Sequence, residues 1–164
     1  MKKFIIIFLI LSLINTLDLF AANDKESKNQ NYLKKTLSVG LCDDKTGLSL
    51  IGVSVNTNFG EKKEIFVSGG TALILHSLSI GFIHYFRKSR FSASSLFSIK
   101  HQIPNSEYFG SDPIQYLSSG LTFEYNLFKN MNLKTGGVAV LDNAEGEYEF
   151  WAYPFLNVTF EFLD

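Results

Sequence analysis

The sequence predicts an all-β fold, an antiparallel up-and-down β-barrel of about eight strands that is transmembrane. Three observations predict it. Eight segments alternate apolar and polar residues with a period of two, the spacing of side chains on one face of a strand. Most of these segments exceed the ~5–6 residues common in soluble sheets and match the ~9–11 that a tilted strand needs to cross a bilayer. Their polar faces also carry charged residues in mid-segment.

The eight predicted strands follow one another without an intervening helical pattern. They span residues 36–42, 48–59, 64–73, 77–87, 90–102, 115–127, 131–141 and 148–163. Short connections, GEKK, KS and FKN, follow the second, fourth and sixth strands, and longer ones, DDKTG, IPNSEYFGSDPI and DNAEGE, follow the first, fifth and seventh. This parity predicts short turns at one end of the barrel and longer loops at the other. The stretch GGTALILHS, between the third and fourth strands, has no clear turn and leaves the strand count open there.

The composition excludes several classes of function. The 164 residues include 15 basic and 16 acidic residues, a net charge of -1, and form no basic stripe that would bind nucleic acid. Cys42 is the sole cysteine of the sequence, so an intrachain disulfide and a cysteine-based zinc cluster are both excluded. No pattern indicates a metal site or a cofactor, and Asp43 and Asp44 are interpreted as part of a turn.

The N-terminus has the pattern of a secretory signal peptide, residues 1–22. A basic pair at positions 2–3 precedes the apolar run 4–14, and small residues end at Ala22. Phe20 stands where a small residue is preferred before the cleavage site, so an uncleaved anchor is the alternative.

A flexible polar leader and one barrel domain follow the signal peptide. Residues 23–35 are polar and aperiodic, as expected of a leader without a packed core. The predicted barrel domain is residues 36–164.

The hairpin LTFEYNLFKNMNLK shows how the strands pair. A three-residue FKN loop sets Tyr125 opposite Leu133, Glu124 opposite Lys134, and Leu127 opposite Met131. We therefore predict an ion pair between Glu124 and Lys134 in the lumen. A slipped register, which would pair Glu124 with Asn132, and a solvated outer face of a soluble sheet are the two alternatives.

The last predicted strand ends in alternating apolar residues. Leu156, Val158, Phe160 and Phe162 share one face, which sets the aromatic face of Trp151, Tyr153 and Phe155 toward the lumen. The pattern resembles the C-terminal assembly signal of outer-membrane barrels. Together with the export signal, the eight alternating segments and the loop parity, it makes the chain similar to the small eight-stranded outer-membrane barrels of the OmpA/OmpX-like family.

This resemblance implies a location in the cell outer membrane, with outer-membrane lipid and the barrel-assembly machinery as partners. It implies a narrow polar lumen filled by side chains, not an open pore, and a structural or surface-interaction role without evident catalysis. Loop parity places the connection 103–114 at the cell surface. Its aromatic residues Tyr108 and Phe109 are our candidates for a contact surface with an extracellular partner.

Two other functions stay open at this point. A soluble periplasmic barrel could bind a small apolar ligand if the apolar face turned inward. Some outer-membrane lipid-modifying enzymes, such as the lipid A deacylase family, place a histidine, a serine and a carboxylate near the barrel rim, and here His101, Ser106 and Glu107 are nearby in sequence. Their spacing does not reproduce that arrangement, so we assign no catalytic residues.

Overall fold

The chain forms a closed barrel of eight antiparallel strands in sequential order. The structure, a computed structural model, describes residues 33–72, 75–87, 89–104, 113–144 and 147–163. The strands are β1 Leu33–Leu41, β2 Ile51–Asn58, β3 Lys63–Thr71, β4 Leu75–Arg87, β5 Phe91–Pro104, β6 Ile114–Phe128, β7 Met131–Ala144 and β8 Glu147–Leu163. β8 pairs with β1 and closes the barrel. No helix within the described ranges is long and apolar enough to span a bilayer.

The apolar faces of the strands turn outward and the polar faces turn inward. On β2, Ile51, Val53 and Val55 are 49%, 57% and 43% exposed, whereas Ser54 and Asn56 are buried in the lumen. The same alternation recurs around the wall. A soluble barrel has the opposite arrangement, so the predicted transmembrane β-barrel is confirmed as the fold class.

All eight predicted strands are present, with shifts at their ends. β1 begins at Leu33, so the last three residues of the predicted leader already lie in the barrel wall. In the uncertain stretch, β3 ends at Thr71 and β4 begins at Leu75, and the Ala72 amide donates a 2.9 Å hydrogen bond to the Leu75 carbonyl. β3 and β4 are therefore separate, paired strands. The predicted signal peptide and residues 23–32 of the leader lie outside the described residues.

The β6–β7 hairpin differs from the prediction near its turn. Asn126 pairs with Asn132, but the register then shifts and Phe128, not Leu127, pairs with Met131. The predicted pairing of Leu127 with Met131 is therefore wrong. An extra residue in β6 forms a β-bulge, and the connection shortens to residues 129–130.

The lengths of the connections follow the predicted parity only in part. Two odd-numbered connections are long, 42–50 and 105–113, but β3 and β4 are joined by residues 72–74. β7 and β8 continue to residues 144 and 147, so most of the predicted DNAEGE loop is strand. A short polar stretch interrupts the alternation of apolar and polar residues at the ends of β7 and β8. The sequence pattern therefore did not show how far these strands extend.

Candidate functional site

The first connection, residues 42–50, folds into the barrel instead of extending from it. We call this segment the lumen plug. Asp43, Asp44, Lys45 and Thr46 are 4%, 2%, 4% and 1% exposed, values typical of a protein core and not of a surface loop. Charged side chains are seldom buried this deeply without partners. The plug is consequently the first place to look for a polar network with a function.

Local hydrogen bonds give the plug its shape. The Asp43 carboxylate accepts hydrogen bonds from the backbone amides of Lys45, at 2.8 Å, and Thr46, at 3.0 Å. Asp43 and Gly47 also exchange two backbone hydrogen bonds, of 2.8 and 2.9 Å. Gly47 has a φ of 82°, a left-handed conformation that glycine adopts without a Cβ clash. The sequence DDKTG thus forms a self-contained turn, with aspartate and glycine at its two ends.

The Lys45 ammonium reaches down into the lumen toward β2 and β3. It donates 3.1 Å hydrogen bonds to the Ser54 hydroxyl and to the Asn56 side-chain carbonyl. The Asn56 amide in turn donates to the Glu64 carboxylate at 3.1 Å. Lys45 also lies 5.7 Å from the centre of the Phe66 ring, within range of a cation–π interaction. One side of the plug is therefore anchored by an extended cation, and the Ser79 hydroxyl of β4 adds a 2.5 Å hydrogen bond to the Lys45 carbonyl.

The opposite wall holds the two aspartates. The Thr122 hydroxyl of β6 donates a 2.8 Å hydrogen bond to the Asp44 carboxylate. The Lys100 ammonium of β5 donates a 2.6 Å bond to the Asp44 carbonyl, and the Asn157 amide of β8 donates a 3.0 Å bond to the Asp43 carboxylate. The plug thus joins strands on opposite sides of the lumen through hydrogen bonds.

The wall is shaped to receive the plug. Gly70 of β3 faces the lumen, and a Cβ atom there would lie 2.8 Å from the Cβ atoms of both Thr46 and Ser49. Such a distance is a steric clash, so the plug can occupy its place only because this position has no side chain. Serines line much of the remaining inward surface, among them Ser68, Ser77, Ser79, Ser98 and Ser118. Small inward residues leave the space that the plug fills.

The predicted lumen residues Glu124 and Lys134 lie opposite each other on β6 and β7. Their charged atoms are 3.6 Å apart, and their side chains are 14% and 7% exposed. The aromatic residues Tyr153 and Phe155 also face the lumen, where they are buried. Phe123, next to Glu124, is 45% exposed on the outer surface. The hairpin therefore separates its charged and apolar side chains between the two sides of the wall.

Burial and the neighbouring charges in the lumen determine the protonation states of Lys45 and Asp44. Burial, together with the nearby Lys134 ammonium, lowers the pKa of Lys45 to about 8. Burial alone would raise the pKa of Asp44, but the ammonium groups of Lys134 and Lys45 outweigh it and lower that pKa below its ordinary value. Asp44 is therefore ionised near neutral pH, and it stabilises the cations around it.

A polar vestibule lies below the plug, at the end of the barrel where β1 begins and β8 ends. It has a volume of 190 Å³. Its walls include Lys34 and Glu161, whose charged atoms are 2.5 Å apart, and Asn132, which donates a 2.7 Å hydrogen bond to Glu161. Most of these charges are paired within the wall. The described residues that line the vestibule include none from the lumen plug.

Of the other residues considered from the sequence for catalysis or surface contact, the structure describes His101 alone. His101 lies on the outer face of β5, opposite Leu78, so it is turned away from the lumen. Ser106, Glu107, Tyr108 and Phe109 lie outside the described residues. No group of three or more histidine, cysteine, aspartate or glutamate side chains in the described ranges could hold a metal ion.

Reasoning from the sequence missed the plug because DDKTG was interpreted as a turn and as one of the longer connections at one end of the barrel. The turn itself was correctly identified, but its direction was not. One signal could have revealed it: the inward faces of β2, β3 and β4 carry mainly serine and glycine, too small to fill an eight-stranded barrel by themselves.

Comparison with known proteins concerns the fold. No protein-family model and no curated protein matches the chain. Among solved structures, the chain is similar to the N-terminal β-barrel domain of Pseudomonas aeruginosa OprF, with 17% identity and a TM-score of 0.55 over 81% of this chain and 100% of that chain. The fold is that of a small outer-membrane barrel. The Yersinia pestis outer membrane protein Ail matches the same shares of the two chains at 13% identity, with a TM-score of 0.45.

Proposed function

We propose that the chain is an integral protein of the cell outer membrane with a structural or surface-interaction role, whose lumen is closed by the lumen plug. The observation that carries the proposal is the distribution of side chains across the barrel wall. Apolar side chains are exposed on the outside, and a buried, hydrogen-bonded polar network lies inside. Outer-membrane lipid would cover the outer surface of the barrel, and the barrel-assembly machinery would insert the barrel into the membrane. The connections at the plug end would meet extracellular partners.

The plug supports a closed barrel over an open pore. Its contacts with β2, β5, β6 and β8 cross the lumen, and the Asp44 and Lys45 side chains fill its centre. An ion crossing the barrel would have to break several of these hydrogen bonds. The same features argue against the soluble alternative, because a lumen filled with charged and hydroxyl groups offers little to an apolar ligand.

Membrane integration is tested by extraction and by gel mobility. We expect the protein to stay with the membrane fraction after washing with urea or carbonate, and to require detergent for purification. Unboiled samples should run differently from boiled ones on a denaturing gel, because a closed barrel resists the detergent until it is heated. A monomer that is freely soluble without detergent would overturn the proposal.

Closure is tested separately in lipid vesicles. Vesicles that contain the purified protein should release a trapped small ion no faster than vesicles without protein. Release that rises with the amount of protein would show an open lumen. That result would leave the membrane location intact but would contradict the proposed closed state.

A further inference from the structure

A shallow groove crosses the outer wall where β6, β7 and β8 pair. Its floor is a row of small residues at one level of the sheet: Ser119 lies beside Ala139, which lies beside Ala152. Larger side chains, Leu121 and Phe123, form part of its border. The groove has a volume of 340 Å³, at the lower end of the ~300–1,000 Å³ usual for small-molecule sites.

A polar group without a partner lies in this groove. Ser119 is only 1% exposed, although it is on the outer side of the wall, and its hydroxyl makes no hydrogen bond within the described part of the chain. An unpaired buried hydroxyl costs free energy, and buried polar groups nearly always have a partner. An oxygen atom of a bound molecule would supply that partner once the buried Ser119 side chain rotates toward the groove.

The groove is open space and is not needed for packing of the barrel. Gly137 belongs to its floor, and a Cβ atom added there would meet no atom closer than the Tyr153 carbonyl oxygen, at 4.0 Å. Gly70, by contrast, lies against the plug. The missing side chain at Gly137 therefore leaves room for something outside the chain.

We propose that this groove binds one acyl chain of a membrane lipid, and that a hydroxyl or ester oxygen on that chain forms a hydrogen bond with Ser119. The groove lies within the apolar outer surface that faces lipid, so the inference rests on the membrane location proposed above. A second copy of the chain fits less well. A twofold contact sets the same surface against itself, and two facing grooves would enclose a void.

The proposal is tested with two fatty acids that differ by one hydroxyl. The full chain, labelled with ¹³C at alanine methyl groups, is reconstituted in lipid nanodiscs and titrated with 3-hydroxytetradecanoic acid or tetradecanoic acid. Both should shift the Ala139 and Ala152 methyl signals in a saturable way. The hydroxylated acid should bind about threefold to tenfold more tightly, as expected of one added hydrogen bond.

Three variants distinguish the parts of the site. Ser119→Ala should remove the preference for the hydroxylated acid and leave tetradecanoic acid binding unchanged. Gly137→Leu should fill the groove and weaken both acids about tenfold or more. Gly69→Leu is the matched control, because Gly69 is on the outer face of β3, where a Cβ atom would make an ordinary 3.4 Å contact with Leu78.

Several results would overturn the proposal. Binding to Gly137→Leu as tight as to the unaltered protein would exclude the groove, and a retained preference in Ser119→Ala would exclude the hydrogen bond. A dimer in detergent that Gly137→Leu dissociates would assign the groove to a second copy. Failure of membrane insertion is distinguishable, since all variants, including Gly69→Leu, would then fail to float with lipid vesicles.

Discussion

The Lys100 ammonium donates a 2.6 Å hydrogen bond to the backbone carbonyl oxygen of Asp44, which joins β5 to the lumen plug. Lys100 is 0% exposed, and it also donates a 3.3 Å hydrogen bond to the Tyr153 hydroxyl. A buried ammonium must be paired, since its desolvation is otherwise unfavourable by several kcal/mol. Each group therefore depends on the other: the plug satisfies the cation, and the cation holds the plug.

Replacing this lysine should loosen the plug. Lys100→Met removes the charged hydrogen bond, of a class that contributes about 1.5–3 kcal/mol, and keeps much of the side-chain volume. We expect backbone amides at 43–49 to exchange with deuterium roughly ten to a hundred times faster, while those of β7 change little. Lys129→Met, in an exposed turn, is the control. Unchanged exchange at 43–49 would contradict a structural role for Lys100.

Filling the space that the plug occupies should expel it. Gly70→Leu places a side chain where Thr46 and Ser49 now lie, whereas Gly69→Leu adds the same side chain to the outer face of the neighbouring residue. Vesicles with the Gly70 variant should therefore leak small ions faster than those with the Gly69 variant. Equal leakage from the two folded proteins would show that displacing the plug does not open the lumen.

The Glu124–Lys134 pair should be energetically coupled. Its 3.6 Å separation and low exposure mean that solvent screens it less than a surface pair. We expect Glu124→Gln and Lys134→Met each to lower the free energy of unfolding. The double variant should lose less than the sum of the two single losses, with a coupling free energy of about 1–3 kcal/mol. Urea unfolding in lipid vesicles gives the values. Strict additivity would contradict the pairing.

Adjacent positions on β6 should report opposite environments. Phe123 is 45% exposed on the outer face, and the Glu124 side chain is 14% exposed inside. A spin label at position 123 should be accessible to oxygen dissolved in lipid, and a label at position 124 should be shielded. The reverse pattern would mean that the apolar face turns inward, as in a soluble ligand-binding barrel.

The order of the strands and the lengths of the connections predict which connections lie at each end of the barrel and which end faces the cell exterior. An even number of strands places the start of β1 and the end of β8 at one end, together with the 129–130 turn, and places the 105–113 connection at the other. An epitope inserted after Ser106 should be labelled on intact cells, and one inserted after Lys129 should not. Labelling at position 129 alone would indicate the opposite orientation in the membrane.

Much of the wall could be predicted from local pattern. Alternation over neighbouring residues identified all eight strands. The predicted pairing of Glu124 with Lys134 is present, although the turn is one residue shorter than predicted, because the bulge in β6 restores the register. Strand ends were less predictable, because pairing with a neighbour can extend a strand through a polar stretch, as it does near Asn143. The bulge before Phe128 was missed for the same reason, since a register shift depends on both strands at once.

The sequence by itself determined the eight strands and which side chains share a face of each strand, because side chains two residues apart point the same way whatever the rest of the chain does. The closed barrel decided that the apolar face turns outward. Only the tertiary structure decided that DDKTG points inward. That choice depends on Gly70, Ser54, Lys100 and Thr122, which are distant in sequence and meet around one lumen when the barrel closes. The turn has the same local conformation whether it lies inside the lumen or extends from the barrel. The side chains that surround it in the closed barrel make the inward position favourable.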